Sequence, residues 1–124
     1  MFLLACRACL ELIRIDLEVS KGNFAALYRR VRSTPLRRSD DHFSTVEAVC
    51  RAVDLASVWY WKRVQCLQRS AAATCLLRRH GVPAQLVLGA QLVPFRAHAW
   101  VEVEGHVVND TSYVPELYTV MDRC

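Results

Sequence analysis

The sequence predicts an α+β fold in which N-terminal helices pack on a small antiparallel β-sheet. Through residue 80 the apolar side chains recur every three or four positions, and from Ala84 onward they recur every second position. Between the two regimes stand Gly81 and Pro83, a pair that caps a helix and forbids its continuation. At 124 residues, 53% hydrophobic and 23% charged, the chain can bury one core without staples, which excludes disorder as its main state. The expectation is one domain over 1–124, helical to about 80 and sheet from about 84.

Each element has its own signal. Leu3, Cys6, Leu10, Ile13 and Leu17 form a stripe that predicts a helix to about Val19, with Arg7, Glu11, Arg14 and Glu18 on the opposite face. That stripe is expected to cover the core, and Ser20-Lys21-Gly22-Asn23 ends the helix. Phe24, Leu27, Tyr28 and Val31 predict a shorter helix, closed by Thr34-Pro35. Residues 37–41 form a polar linker. Ser44-Thr45-Val46-Glu47 matches a capping box, in which the Ser and Glu side chains satisfy each other's free amides. The third helix then runs to about Trp61, with Val46, Val49 or Cys50, Val53 and Val58 as its stripe. After a short connection at 62–65, a fourth helix covers 66–79. Its three consecutive alanines, residues 71–73, let a neighbour approach closely, and Arg78 and Arg79 suit its carboxyl end.

Residues 84–90 read as a strand with Leu86 and Leu88 on one face and Val87 on the other. Residues 91–96, with Pro94, read as a loop or bulge, and 97–103 as a second strand. Glu104-Gly105 marks a hairpin turn. Residues 106–110 read as a third strand, and 113–121 as a fourth strand or an irregular tail.

Charge and composition narrow the function classes. Sixteen Lys and Arg against twelve Asp and Glu give +4, a mild excess that does not call for a nucleic-acid partner. No stretch of eighteen apolar residues exists, so no membrane-spanning helix is expected. The opening residues 1–6 faintly resemble a lipoprotein box. They lack a preceding basic segment, and Arg7, Glu11 and Arg14 interrupt the apolar run, which argues against a secretion signal. The expected compartment is the cytoplasm, where thiols stay reduced. Of the six cysteines, Cys50 and Cys75 are expected buried and unbridged. Cys6 and Cys9 have C-x-x-C spacing but neither a second pair nor a neighbouring His, so no metal is expected.

Three residues carry the candidate chemistry. Cys66 stands at the first turn of the fourth helix, where unpaired amides and the positive end of the dipole stabilise a thiolate; taken alone, its ordinary reading is a buried core thiol, as for Cys50 and Cys75. Gln65 precedes it and can offer a side-chain amide to an oxyanion. His98 lies on the second strand, and Asp110 closes the third, where Asp is also an ordinary turn residue. His42, His80 and His106 read as ordinary hydrogen-bonded histidines. The register decides whether His98 and Asp110 meet. A two-residue Glu104-Gly105 turn sets His98 against Thr111 and points Asp110 to the other side of the sheet. A three-residue loop, Val103-Glu104-Gly105, with Gly105 in the left-handed position of a G1 bulge, sets His98 against Asp110. Gly105 is placed for the longer loop, and the expected result is a Cys-His-Asp arrangement. Trp100, two residues along the face of His98, and Phe95, in the preceding loop, are expected to line a substrate cleft.

Four segments, Cys66-Leu67-Gln68-Arg69-Ser70, His80-Gly81-Val82-Pro83-Ala84, Ala97-His98-Ala99-Trp100-Val101-Glu102-Val103 and Val108-Asn109-Asp110, resemble the transglutaminase-like cysteine protease domain of lasso peptide biosynthesis proteins. The resemblance covers about residues 60–124. It implies a transglutaminase-like, papain-like cysteine protease core, with Cys66 as nucleophile, His98 as general base and acid, and Asp110 as the orienting carboxylate. It implies a leader peptidase that cleaves one bond in a ribosomally made precursor peptide, without cofactor. The expected partners are that peptide, a separate leader-recognition protein and an ATP-dependent lasso cyclase that consumes the freed amine. Two other readings compete. One is a transglutaminase or amide-transfer enzyme on the same fold. The other is a non-catalytic peptide-binding module that uses the basic surface of Arg29, Arg30, Arg32, Arg37 and Arg38. The first helix and the segment 29–38 are candidate docking surfaces.

Overall fold

The computed structural model describes residues 2–22, 24–34, 42–60 and 65–124. Four helices come first: α1 (Phe2–Ser20), α2 (Phe24–Ser33), α3 (His42–Trp59) and α4 (Cys66–Arg79). Strands β1 (Ala84–Leu92), β2 (Phe95–Val103) and β3 (His106–Val107), the single turn α5 (Val114–Leu117) and strand β4 (Thr119–Arg123) follow. The four strands form one antiparallel sheet in the order β3-β2-β1-β4. The expected α+β architecture is present. The polar linker at 37–41 and most of the connection at 62–65 lie outside the described residues.

Helix α4 is the centre of the packing. Every residue from 70 to 77 is buried, and the alanines at 71–73 leave no side-chain bulk to hold neighbours away. Its carboxyl end is closed by Gly81 at φ 88°, with the Gly81 amide donating to the Arg78 carbonyl and the Val82 amide to the Leu77 carbonyl. This paired αL cap is what the Gly81 and Pro83 signal asks for.

Two helical expectations are corrected. The first concerns α1, which turns Ala8, Leu12 and Ile15 into the core rather than the stripe of Leu3, Cys6, Leu10, Ile13 and Leu17. Two acids go inward with them because the neighbouring helices supply partners. Glu11 is 2% exposed and its Oε1 accepts from Arg14 and from Arg79 of α4. Asp16 is buried and accepts from the Tyr60 hydroxyl. The second concerns α3, which begins at His42, so Ser44 lies inside the helix rather than at the N-cap position.

The sheet has two covered faces. Ala84, Leu86, Ala99, Val101 and Val103 pack under the helices. Val87, Trp100 and Val114 form a second cluster on the far face, flanked by Val107, Tyr118 and Val120. Strands β1 and β2 pair without a break from Ala84↔Val103 to Leu92↔Phe95, so the loop expected at 91–96 is a hairpin closed by Val93-Pro94 alone. Pro94 sits at the tip, outside the ladder, where no amide is needed. Strand β4 adds to the other edge of β1, with a bulge between Leu88 and Gly89.

Arg78 ties three elements to α4. Its Nε donates to the Ala84 carbonyl where β1 starts, Nη1 to the Val31 carbonyl of α2, and Nη2 to the Cys124 carbonyl beyond β4. Lysine keeps the charge but not the fork. Arg78→Lys is expected to destabilise the fold by roughly 3–6 kcal/mol, two charge-assisted hydrogen bonds' worth, as a lower urea midpoint at unchanged slope.

Candidate active site

The β2–β3 turn is the short one. Val103 pairs with His106 and Glu102 with Val107, and the two turn residues Glu104 and Gly105 have φ of 51° and 82°. The expected three-residue loop is therefore absent. Continued along this register, the ladder would set Asp110 on the wrong side of the sheet. It does not continue. The Val108 amide still donates to the Val101 carbonyl, but the Val101 amide donates to Oδ1 of Asn109 at 2.8 Å. A side chain replaces the next main-chain acceptor, β3 ends after two residues, and the strand expected over 106–110 gives way to a bend.

That bend delivers the carboxylate. Asp110 Oδ2 lies 2.7 Å from Nε2 of His98, and Oδ1 accepts the Thr111 amide at 2.7 Å. Both side chains are about one-fifth exposed. Partial burial pushes the Asp110 carboxyl up. The His98 hydrogen bond, the Thr111 amide and the charges of His98 and Arg69 outweigh it, and the net direction is down. The imidazole is gripped from the sides as well: its ring centre is 5.2 Å from that of Tyr118 and 6.0 Å from that of Trp100. With Nε2 committed to Asp110, Nδ1 is the nitrogen left for a reacting group.

The nucleophile candidate lies on the helix. Cys66 is the first residue of α4 and is half-buried. Ser70, one turn further along the same helix face, donates its hydroxyl to the Ala99 carbonyl at 3.1 Å and accepts from Asn109 Nδ2 at 3.0 Å. The residue that ends β3 therefore also fixes α4 to the strand next to His98. Arg69 faces the Asp54 carboxylate at 3.7 Å and contributes to the field at Asp110.

Residues 9–123 match the model of the Transglutaminase-like superfamily. The chain belongs to that superfamily. Among curated proteins, this transglutaminase-like chain is similar to the Microcin J25-processing protein McjB of Escherichia coli, at 38% identity over 56 residues. The alignment covers 45% of this chain and 27% of that protein, so it spans about a quarter of the relative's length. No solved structure matches.

The remaining sequence expectations divide within this transglutaminase-like frame. Trp100 is fully buried, so it does not line a cleft; its Nε1 donates to Glu102 Oε2 at 2.8 Å, and its ring supports His98. It packs over Gly89, where an added Cβ would come within 2.7 Å of the indole and 2.8 Å of Tyr118 Cβ. Phe95 stands 71% exposed at the β1–β2 tip beside Leu92 and Val93, free for contact. Gln65 occupies the N-cap of α4 in extended geometry, exposed and with no side-chain cap bond. All six cysteines are free thiols. Cys75 is buried, as expected, but Cys50 is only half-buried, on a groove with Val46, Asp54, Val103 and Val108. Burial there pushes the Cys50 thiol up to about 11, which keeps it protonated at neutral pH. Among the described residues no three His, Cys, Asp or Glu side chains gather as a metal site, and no helix is long and apolar enough to cross a membrane. Sequence reasoning gave no role to Asn109, Ser70, Tyr118 or Gly89. Asn109 had a readable signal, an Asn at the end of an apolar strand run, while the others become visible only through the fold.

Two outcomes follow from this geometry. The folded carboxyl of Asp110 lies below its unfolded value of about 3.9, so its contribution to stability is present above that pH and is lost as pH falls through the folded value. Chemical unfolding of Asp110→Asn is expected to show lower stability than the parent at pH 6 and a gap that closes below about pH 4. Gly89→Ala forces Trp100 and Tyr118 apart; a loss of about 1–3 kcal/mol is expected, with shifted His98 ring resonances in NMR spectra.

Proposed function

We propose that this chain is a cysteine peptidase of lasso peptide maturation, which removes the leader from a ribosomally made precursor. The observation that carries the reading is the 2.7 Å His98–Asp110 pair, on a strand that Ser70 ties to the helix beginning at Cys66. The similarity to a microcin-processing protein supports the substrate class. The proposal treats residues 1–124 as one catalytic domain acting in the cytoplasm, without cofactor.

In the proposed mechanism Nδ1 of His98 takes the proton of the Cys66 thiol, and the thiolate attacks the carbonyl of the last leader residue. Asp110 holds Nε2 and stabilises the imidazolium. The oxyanion of the tetrahedral intermediate takes the Cys66 amide and the Gln65 side-chain amide. The imidazolium then protonates the departing nitrogen, which becomes the α-amine of the core peptide, and the leader remains as a thioester on Cys66. Water, deprotonated by His98, cleaves the thioester and releases the leader carboxylate. Phe95 at the hairpin tip contacts the peptide, and the groove past Cys50 and Val108 takes residues next to the cleaved bond.

A peptide held only beside its scissile bond retains most of its chain entropy, so a leader-recognition protein that grips the distal leader makes the encounter effectively intramolecular. A lasso cyclase using ATP then consumes the new amine.

The test is incubation of precursor peptides with the chain, with and without the recognition protein, read by mass spectrometry. Cys66→Ala and His98→Ala are expected to lower turnover at least about 10³-fold with unchanged folded-state spectra. Phe95→Ala is expected to lower kcat/KM alone. Full activity of Cys66→Ala refutes the nucleophile, and an amine adduct on the leader in place of its free carboxylate points to amide transfer instead. Turnover unmoved at saturating recognition protein refutes the need for that partner.

A further inference from the structure

The stripe Leu3, Cys6, Leu10, Ile13 and Leu17 alternates steps of three and four residues, the spacing of a coiled-coil seam, yet it faces outward. Leu3 is 75% exposed, Leu10 52%, Ile13 43% and Leu17 54%. An apolar band of this length along one helix is more than scattered surface leucines. Its two shoulders differ. Toward α3 the band continues as an apolar groove lined by Cys6, Cys9, Leu10, Leu55 and Trp59, with Trp59 79% exposed. Toward α4 it borders a second groove, in which Arg7, Arg14, Arg79 and His80 surround Leu10 and Leu76. Glu11 is the one acid there, and it is buried with Arg14 and Arg79 bound to it, so the shoulder is net positive. Burial and the charge of Arg7 push His80 down, which leaves the arginines as its cations.

We infer that the outer face of α1 docks an amphipathic helix of a separate protein, with its apolar side on the seam and acidic residues along the Arg7–Arg14 side. The heptad spacing specifies a helical occupant, and the one-sided charge specifies its polarity. A second copy of this chain fits poorly. In an antiparallel pair the arginine side faces its own copy, and in a parallel pair Arg14 meets Cys9, so neither arrangement sets an exposed acid against these arginines. This surface is independent of the chemistry proposed for Cys66, and its test uses no catalytic readout.

The probe is a fluorescein-labelled 21-residue synthetic helix with Leu at every seam position and Glu on its flanks, compared with a twin carrying Lys on the flanks. Anisotropy against the whole chain is expected to give saturable binding of the Glu peptide, at least tenfold tighter than the Lys twin and weakened by 0.5 M salt. Leu10→Gln with Ile13→Gln, both at exposed positions, is expected to weaken it at least tenfold at unchanged thermal midpoint. Arg7→Glu alone is expected to shrink the Glu-over-Lys preference at least threefold. Equal affinity for the twins, no binding of either, or indifference to all the substitutions overturns the inference. So does a dimer in sedimentation that Leu10→Gln dissolves, because the seam is then filled by the chain itself.

Discussion

Val101 gives its amide to a side chain, Oδ1 of Asn109, at the point where the β2–β3 ladder calls for a backbone carbonyl. The same side chain gives its Nδ2 to Ser70 of α4, and Ser70 gives its hydroxyl to Ala99. One amide group thus ends a strand, docks a helix and sets the direction in which the chain leaves the sheet. Asp110 is the next residue, and it meets His98 only because the ladder stops there. Each bond in this set is short and partly shielded from water, where a satisfied network is strong and a half-satisfied one is costly. Removing the Asn109 amide would leave the Val101 amide and the Ser70 hydroxyl without these partners and release the bend that carries the carboxylate.

The far face of the sheet completes the support. His98 stacks on both Tyr118 and buried Trp100, whose own rings are tilted against each other, and Trp100 is fixed by its hydrogen bond to Glu102. The stack has room because residue 89 carries no side chain. Cross-strand partner to His98 on β1, Gly89 lies at the bulge where β4 changes register. The imidazole is thereby held by a carboxylate at its Nε2 edge and by rings along its faces, which leaves Nδ1 as its uncommitted nitrogen.

Local signals with a single meaning were legible in the sequence. The limits of α4 follow from Gly81 and Pro83, and the switch from period 3.6 to period 2 gives the α+β layout. Signals that depend on partners elsewhere were not. The face of α1 that enters the core cannot be read by counting leucines, because Glu11 and Asp16 are made buriable by Arg79 and Tyr60, residues 68 and 44 positions away. Pro94 reads as a break in a strand, whereas at a hairpin tip it interrupts nothing. The contact of His98 with Asp110 was expected from a bulged turn. The turn is the tight one and the contact exists all the same, because Asn109 bends the chain by a route that strand arithmetic does not contain.

Tyr118 and the Cys124 carbonyl held by Arg78 both follow the β1–β2 hairpin in the sequence. The helix that begins with Cys66 is made almost sixty residues earlier. On a translating ribosome, the helices and the β1–β2 hairpin can therefore meet while His98 still lacks one of its flanking rings and the sheet lacks an edge strand. The imidazole gains its second flanking ring, and the sheet its edge strand, only from residues that follow His98 in the sequence, an ordering imposed by chain order alone.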